Sequence, residues 1–237
     1  MIFLTGDTHG DFSRLRDFAQ SERGKKLNKD DVVIVLGDFG IWEETLEEIK
    51  RLDSELPYTL AFLDGNHEDH ALLAATPVSR AFGGEVQSFG GVLHLCRGEL
   101  FFIPCGGEIR SVLVCGGGES RDKEKRTAGV DWFPEESVSE ANVERTLKNA
   151  EKLNNRVDLF LTHSPSSAVR MELYAETAYL LDKPVGNGLP TESEYKIRDM
   201  TGVVSARRYC CGHEHIDREF NIARKHFSVV YTAFEEC

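Results

Sequence analysis

No stretch of this sequence approaches the roughly 18 consecutive apolar residues that a membrane span requires. Its opening, "MIFLTGDTHG", turns polar after four residues, too soon for the apolar core of a signal peptide. Positive charge is scarce: 28 Lys and Arg stand against 40 Asp and Glu, a formal charge of −12. That balance argues against broad adhesion to nucleic acid or anionic membrane, both of which use a basic face. Long nucleic acid is therefore not an expected partner, whereas an anionic substrate held by local positive charge is still allowed. The six cysteines (Cys96, Cys105, Cys115, Cys210, Cys211, Cys237) contain no CxxC pair and, without a signal, read as reduced thiols. Together these features lead us to expect a cytoplasmic protein with no membrane association. Repeats of solenoid type, low-complexity tracts and Pro/Ser linkers are also missing, and nothing specifies an oligomer. At 237 residues the chain reads as one domain, 1–237, large enough to bury about 70–75% of its unfolded surface without staples.

What is present is a recurring phrase: a short apolar run rich in β-formers, then polar, ligand-type residues. "IFLT" leads to "GDTHG", "VVIVL" to "GDFG" and "YTLAFL" to "DGNHE". Later "VDLFL" leads to "THS" and "RRYCC" to "GHEH". Continuous apolar runs of this length suit strands covered on both faces. Amphipathic segments lie between them. "FSRLRDFAQ" and "TLEEIKRL" fit short helices, and "SEANVERTLKNAEKLN" fits a longer one. In the last, Val143, Leu147, Ala150 and Leu153 make one stripe and Ser139 caps the start. Strands alternating with helices imply parallel pairing, and in such sheets ligands gather beyond the carboxyl ends of the strands.

The middle and the tail read differently. "GGEVQSFGGVLHLCRGELFFI" has short β-like runs broken by glycines and the turn "CRGE", which predicts hairpins. "SVLVCGGGESRDKEKR" reads as a strand entering a glycine-rich loop, and "REFNIARKHFSVVYTAF" as antiparallel β-structure. The expected fold class is α/β with mixed sheets.

Taken singly, each polar cluster is ordinary. Asp-x-His after a strand is commonly a turn with a surface histidine, and Gly-Asp is common turn chemistry. The set is another matter. His9, His67, His163, His213 and His215 all sit at ends of apolar runs, and only His70, His94 and His226 do not.

In this order the motifs resemble the calcineurin-like metallophosphoesterase superfamily, from Asp7 to His215. The resemblance implies a four-layer α/β/β/α sandwich with two mixed β-sheets and a dinuclear metal site at the strand carboxyl ends. It implies that Asp7, His9 and His215 bind one metal, that Asn66, His163 and His213 bind the other, and that Asp38 bridges both. His67, behind Asn66, would act as the catalytic residue facing the leaving group. Mixed imidazole and oxygen ligands favour two divalent transition-metal ions, manganese first, with iron, zinc or nickel as alternatives to the all-oxygen preference of magnesium. Two such ions against two aspartates and a bridging hydroxide leave about one positive charge for a phosphoryl group.

The phosphoprotein-phosphatase branch has an Asp-Arg pair shortly after the second motif's Asp, and in "GDFGIWEE" neither residue follows Asp38. The chain looks nearer to bacterial-type phosphoesterases. The function expected is hydrolysis of small phosphomonoesters or phosphodiesters by a metal-bridging hydroxide. The alternatives are a phosphoprotein phosphatase, a nuclease or a non-catalytic protein-binding scaffold. After the glycine-rich loop, Arg121, Lys125 and Arg126 are candidate substrate contacts, against the alternative of a solvated charged loop. Trp132 and Phe133 read as buried anchors and Cys210–Cys211 as strand packing.

Overall fold

In the computed structural model, which describes residues 1–181 and 189–237, every apolar run named above is a strand. The first third alternates β1 (Ile2–Thr5), α1 (Ser13–Gln20), β2 (Val32–Val35), α2 (Leu46–Glu55) and β3 (Thr59–Phe62), followed by a short α3 (His70–Ala75). β1, β2 and β3 pair in parallel, Leu4 opposite Ile34 and Ile34 opposite Ala61. All four residues of β1 and of β2 are buried, as strands with both faces covered must be.

Next come β4 (Val78–Ala81), β5 (Gly84–Phe89), β6 (Val92–Leu95), β7 (Leu100–Cys105) and β8 (Glu108–Cys115). β5 and β6 form one hairpin, β7 and β8 another. The turn "CRGE" closes neither. It carries the chain from β6, in the first sheet, to β7, at the edge of the second. The last part contains α4 (Glu140–Glu151), β9 (Arg156–Thr162), α5 (Ser167–Leu181), α6 (Glu192–Val203), β10 (Ser205–Cys211), β11 (Arg218–Ile222), β12 (Lys225–Val229) and β13 (Glu235–Glu236). Ser139 caps α4 through a reciprocal box with Asn142. α3, α5 and α6 have no counterpart in the sequence reading.

The seven-stranded sheet runs β13-β1-β2-β3-β6-β5-β4 and the six-stranded sheet β11-β12-β10-β9-β8-β7. Both are mixed, and both have a parallel centre: β1-β2-β3 in one, β8-β9-β10 in the other. Three apolar layers separate four structural layers. α1 and α2 cover the first sheet through Leu15, Phe18, Ile49 and Leu52. Ile2, Leu4, Ile34, Val112, Val114 and Leu161 meet between the sheets. Ala150, Val169, Ile197 and Met200 bring α4, α5 and α6 onto the second sheet. This is the expected α/β/β/α sandwich.

All six cysteines are free, and burial pushes the thiol of Cys211 well above its ordinary value, which suits packing rather than redox chemistry. No helix among the described residues is long and apolar enough to cross a membrane.

Candidate metal centre

The carboxyl ends of β1, β2, β3, β9 and β10 deliver Asp7, Asp38, Asn66, His163, and the His213–His215 pair to one place. The backbone there is unusual. Among the described residues nine non-glycine residues have positive φ, and four of them are His9 (48°), Asp38 (45°), His213 (69°) and His215 (50°). Such conformations cost of order 1–3 kcal/mol each and cluster where a site needs a side chain aimed off the regular path. The motif glycines serve close approach. A Cβ on Gly37 (φ 94°) would lie 2.2 Å from His163 Nδ1, and one on Gly65 2.0 Å from Asp38 Oδ1.

Two donor groups result. Asp7, His9 and His215 form one; Asp38, His163 and His213 form the other. In the first, His215 Nε2 lies 3.0 Å from Asp7 Oδ2 and 3.0 Å from His9 Nε2. In the second, His163 Nε2 lies 3.1 Å from His213 Nδ1 and 3.1 Å from Asn66 Oδ1. Asp38 belongs to both: Oδ1 is 3.4 Å from His163 Nε2, and Oδ2 is 3.8 Å from His9 Nε2. The seven residues read from sequence are thus brought together, with Asp38 in the middle.

The donor chemistry fits metal ions. His163 Nδ1 lies 2.9 Å from Leu36 O, which can only accept, so in the neutral ring the Nε2 lone pair faces inward. Asn66 is fixed by Nδ2 donating to Ser120 Oγ at 3.1 Å, while Ser120 donates to Glu136 Oε2 at 2.8 Å. Its Oδ1 therefore also faces inward. With Asp38 Oδ1, electron pairs from three groups converge, and none of the three supplies a hydrogen to another, an arrangement a cation relieves.

Two of the histidines tend to the neutral form, while the hydrogen bond to Asp7 raises His215. Burial, and then the charge of His163, holds His213 well below the ordinary histidine value, and burial lowers His9 against the pull of Asp7. Both favour the neutral imidazole that ligates metals. Burial alone would raise Asp7, but its hydrogen bond to His215 and the nearby histidine charges bring it down to about 2. Asp7, Asp38, Asn66 and His163 are buried, whereas His9 and His215 are exposed, so the centre opens on the side of these two histidines. Tyr231 stacks on His215 at 4.8 Å.

His67 lies at that mouth. Its backbone N–H donates to Asp38 Oδ1 at 2.8 Å, and its ring centre is 5.3 Å from that of His9. Arg126 Nη2 is 3.4 Å from His67 Nε2, while the same guanidinium is gripped by Asp122 at 2.7 and 3.0 Å. Lys125 is exposed in the loop. Arg121 is engaged elsewhere: it donates to Leu189 O at 2.8 Å and to Glu194 Oε1 at 2.7 Å. Phe133 is buried against Trp42 and His70, and the Trp132 indole donates to Glu136 at 3.0 Å.

Sequence reasoning missed the residues behind the donors. The three acids of "FLDGNHEDH" each have a structural partner. Asp64 accepts from Arg97 Nε at 2.6 Å, Asp69 caps α3, and Glu68 accepts from the backbone N–H groups of Phe39, Gly40 and Ile41. Glu68 had a signal, its place directly after Asn66-His67; Ser120 and Glu136 had none.

Among solved structures, the fold is similar to TT1561 of Thermus thermophilus, at 14% identity and a TM-score of 0.54, over 98% of this chain and 89% of that one. Phosphopantetheinyl hydrolase from Mycobacterium tuberculosis aligns at 15% identity and a TM-score of 0.47, over 98% and 89%. A putative 5'-nucleotidase from Staphylococcus aureus aligns at 11% and 0.48, over 98% of this chain and 48% of that one. No curated protein gives a significant match. The family model of calcineurin-like phosphoesterases, in contrast, matches residues 1–217. The chain belongs to the calcineurin-like phosphoesterase family and is a phosphoester hydrolase.

Proposed function

We propose that the chain, acting as a single domain over 1–237, hydrolyses small phosphomonoesters or phosphodiesters with two divalent transition-metal ions. Manganese is the first candidate, and the setting is the cytoplasm. The observation that carries this reading is the division of Asp38, whose two carboxylate oxygens face different donor groups. A carboxylate can serve two cations in that way because each oxygen accepts independently. Asp7, His9 and His215 would hold one ion, and Asn66, His163 and His213 the other. Metal ions held there would supply Lewis acidity and lower the pKa of water, so no covalent phospho-enzyme would be required.

The chain's own residues do the rest. An approaching phosphoryl group meets His9 and His215 first, then the guanidinium of Arg126, which Asp122 holds at the mouth. Arginine only donates, so while Arg126 faces His67 Nε2 that nitrogen carries no proton. We propose that phosphoryl oxygens draw Arg126 off, that His67 Nε2, so released, takes up a proton from solvent, and that it then donates this proton to the departing ester oxygen or stabilises its charge. Lys125 adds positive charge from solvent. The missing Asp-Arg pair after Asp38 favours small esters over phosphoproteins.

A panel of p-nitrophenyl phosphate, bis-p-nitrophenyl phosphate, cyclic nucleotides and phosphopeptides, assayed with manganese, tests this. Turnover of the small esters at higher kcat/KM supports the reading; clear preference for phosphopeptides moves the assignment to a phosphoprotein phosphatase.

A further inference from the structure

A third group of donors lies behind the centre: ligand atoms of Glu194, His213 and Glu214 fall within 4.8 Å of one another. It is a poor cation site, because two guanidinium groups already share it. Arg170 Nη1 lies 2.5 Å from Glu214 Oε2, and Arg121 Nη2 lies 2.7 Å from Glu194 Oε1. Two acids and two arginines balance. Arg170 is 1% exposed, Glu194 0% and Glu214 8%. Charges at that depth persist only when paired, and here three of them, with the more accessible Arg121, meet near one ligand histidine.

The four come from separate parts of the chain. Arg121 follows the glycine-rich loop after β8, and Arg170 stands on α5, seven residues after His163. Glu194 is the third residue of α6, where it closes a capping box with Thr191. Glu214 sits between His213 and His215 in the bend after β10, where both histidines have positive φ, and its carboxylate is buried against Arg170. Its Oε2 is taken by Arg170. Its Oε1 is buried and has no hydrogen-bond partner among the described residues. A buried carboxylate oxygen of this kind calls for a donor. His213 can supply one. Nδ1 of His213 faces His163 Nε2 at 3.1 Å, which leaves Nε2 as the ring nitrogen turned away from the donor group.

We propose that Glu214, held in place by Arg170, is a positioning residue of the metal centre. With Nδ1 committed to an ion, His213 carries its proton on Nε2, and the unpartnered Glu214 oxygen is the acceptor to which that proton turns, so the ring is held with Nδ1 directed at the ion. Glu194 and Arg121 complete the charge balance around it, so Arg121 acts through the ligand shell rather than on substrate. Metal-ligating histidines commonly need such a partner, and its loss typically costs 10–100-fold in metal affinity. The proposal rests on the dinuclear reading of the site.

Two measurements test it. With saturating zinc bound, ¹H–¹⁵N spectra of the His213 ring should show a slowly exchanging Nε2–H in wild type and a fast-exchanging one in the double variant Arg170→Met/Glu214→Leu; equal exchange in the two overturns the proposal. The second is calorimetric titration of manganese into wild type and into the double variant Arg170→Met/Glu214→Leu, which removes both charges without orphaning either. The double variant should melt near wild type, because apolar replacement of a buried ion pair is often neutral. It should bind manganese about 10–100-fold more weakly at one of two positions. Glu214→Gln combined with Arg170→Met, which keeps one acceptor oxygen for His213 and leaves no unpaired charge, should recover most of that loss. Wild-type affinity at both positions in the double variant overturns the proposal. A wild-type protein that binds one ion instead fails the dinuclear reading, and the exchange of the His213 Nε2–H still decides the role of Glu214.

Discussion

Replacing Glu68 by Gln should loosen the loop that carries Asp38, although Glu68 touches neither candidate ion group. Its carboxylate is fully buried and accepts three backbone N–H bonds, from Phe39 at 2.6 Å, Gly40 at 3.0 Å and Ile41 at 2.8 Å. Oε2 takes two of them and Oε1 the third. A glutamine oxygen can replace Oε2, but its amide nitrogen then points donors at the Phe39 N–H. Two buried groups lose their partners, at about 1–3 kcal/mol each. Relief of a buried charge offsets part of this, so we expect a loss of about 2–4 kcal/mol. For a chain of this size that lowers Tm by about 4–16 °C. Asp38 directly precedes these three residues in the same loop, so manganese affinity should fall as well. Calorimetric melting and a manganese titration of the variant check both effects. A melting point within about 2 °C of wild type, with full metal binding, would refute the claim that Glu68 builds the bridge loop.

Asp38→Ala should reduce turnover more than loss of any other single donor, because Asp38 alone faces both groups; near-normal turnover with both metals retained removes it from the bridge. His67→Ala should keep its metals, slow alkyl phosphoesters by about 10²–10⁴-fold and slow nitrophenyl esters much less, since nitrophenolate hardly needs a proton. Equal losses on both ester types would leave His67 a positioning residue. Arg126→Ala should raise KM for phosphomonoesters more than it lowers kcat, and an unchanged KM would place the guanidinium outside substrate reach.

The strands and their ligand ends were legible because two signals coincide there. Apolar runs such as Val32–Val35 have both faces buried, so burial erases any alternation and leaves the run itself visible. Each run stops at residues of ligand type. What stayed hidden depends on partners distant in sequence. Asp64 is an ion-pair residue only because Arg97 arrives from the turn between the sheets. The same turn, Cys96–Glu99, looks locally like a hairpin loop, yet the hydrophobic layers place β6 and β7 in different sheets. α3 has six residues, too few for helical periodicity to register. α6 has a readable start, Thr191 with Glu194 three residues on, but polar residues around its first turns hide the apolar stripe that would mark a helix. Arg121 reads as a phosphate contact because a basic residue after a glycine loop has that meaning locally. Its neighbour Glu194 lies 73 positions away.

The most direct test of the account is the metal content of the purified chain after reconstitution with manganese, counted by elemental analysis against protein concentration. Two ions per chain, both removed by chelation together with activity and both restored by added manganese, is the result that two donor groups sharing Asp38 predict. A fully loaded and active protein with one ion per chain would contradict it.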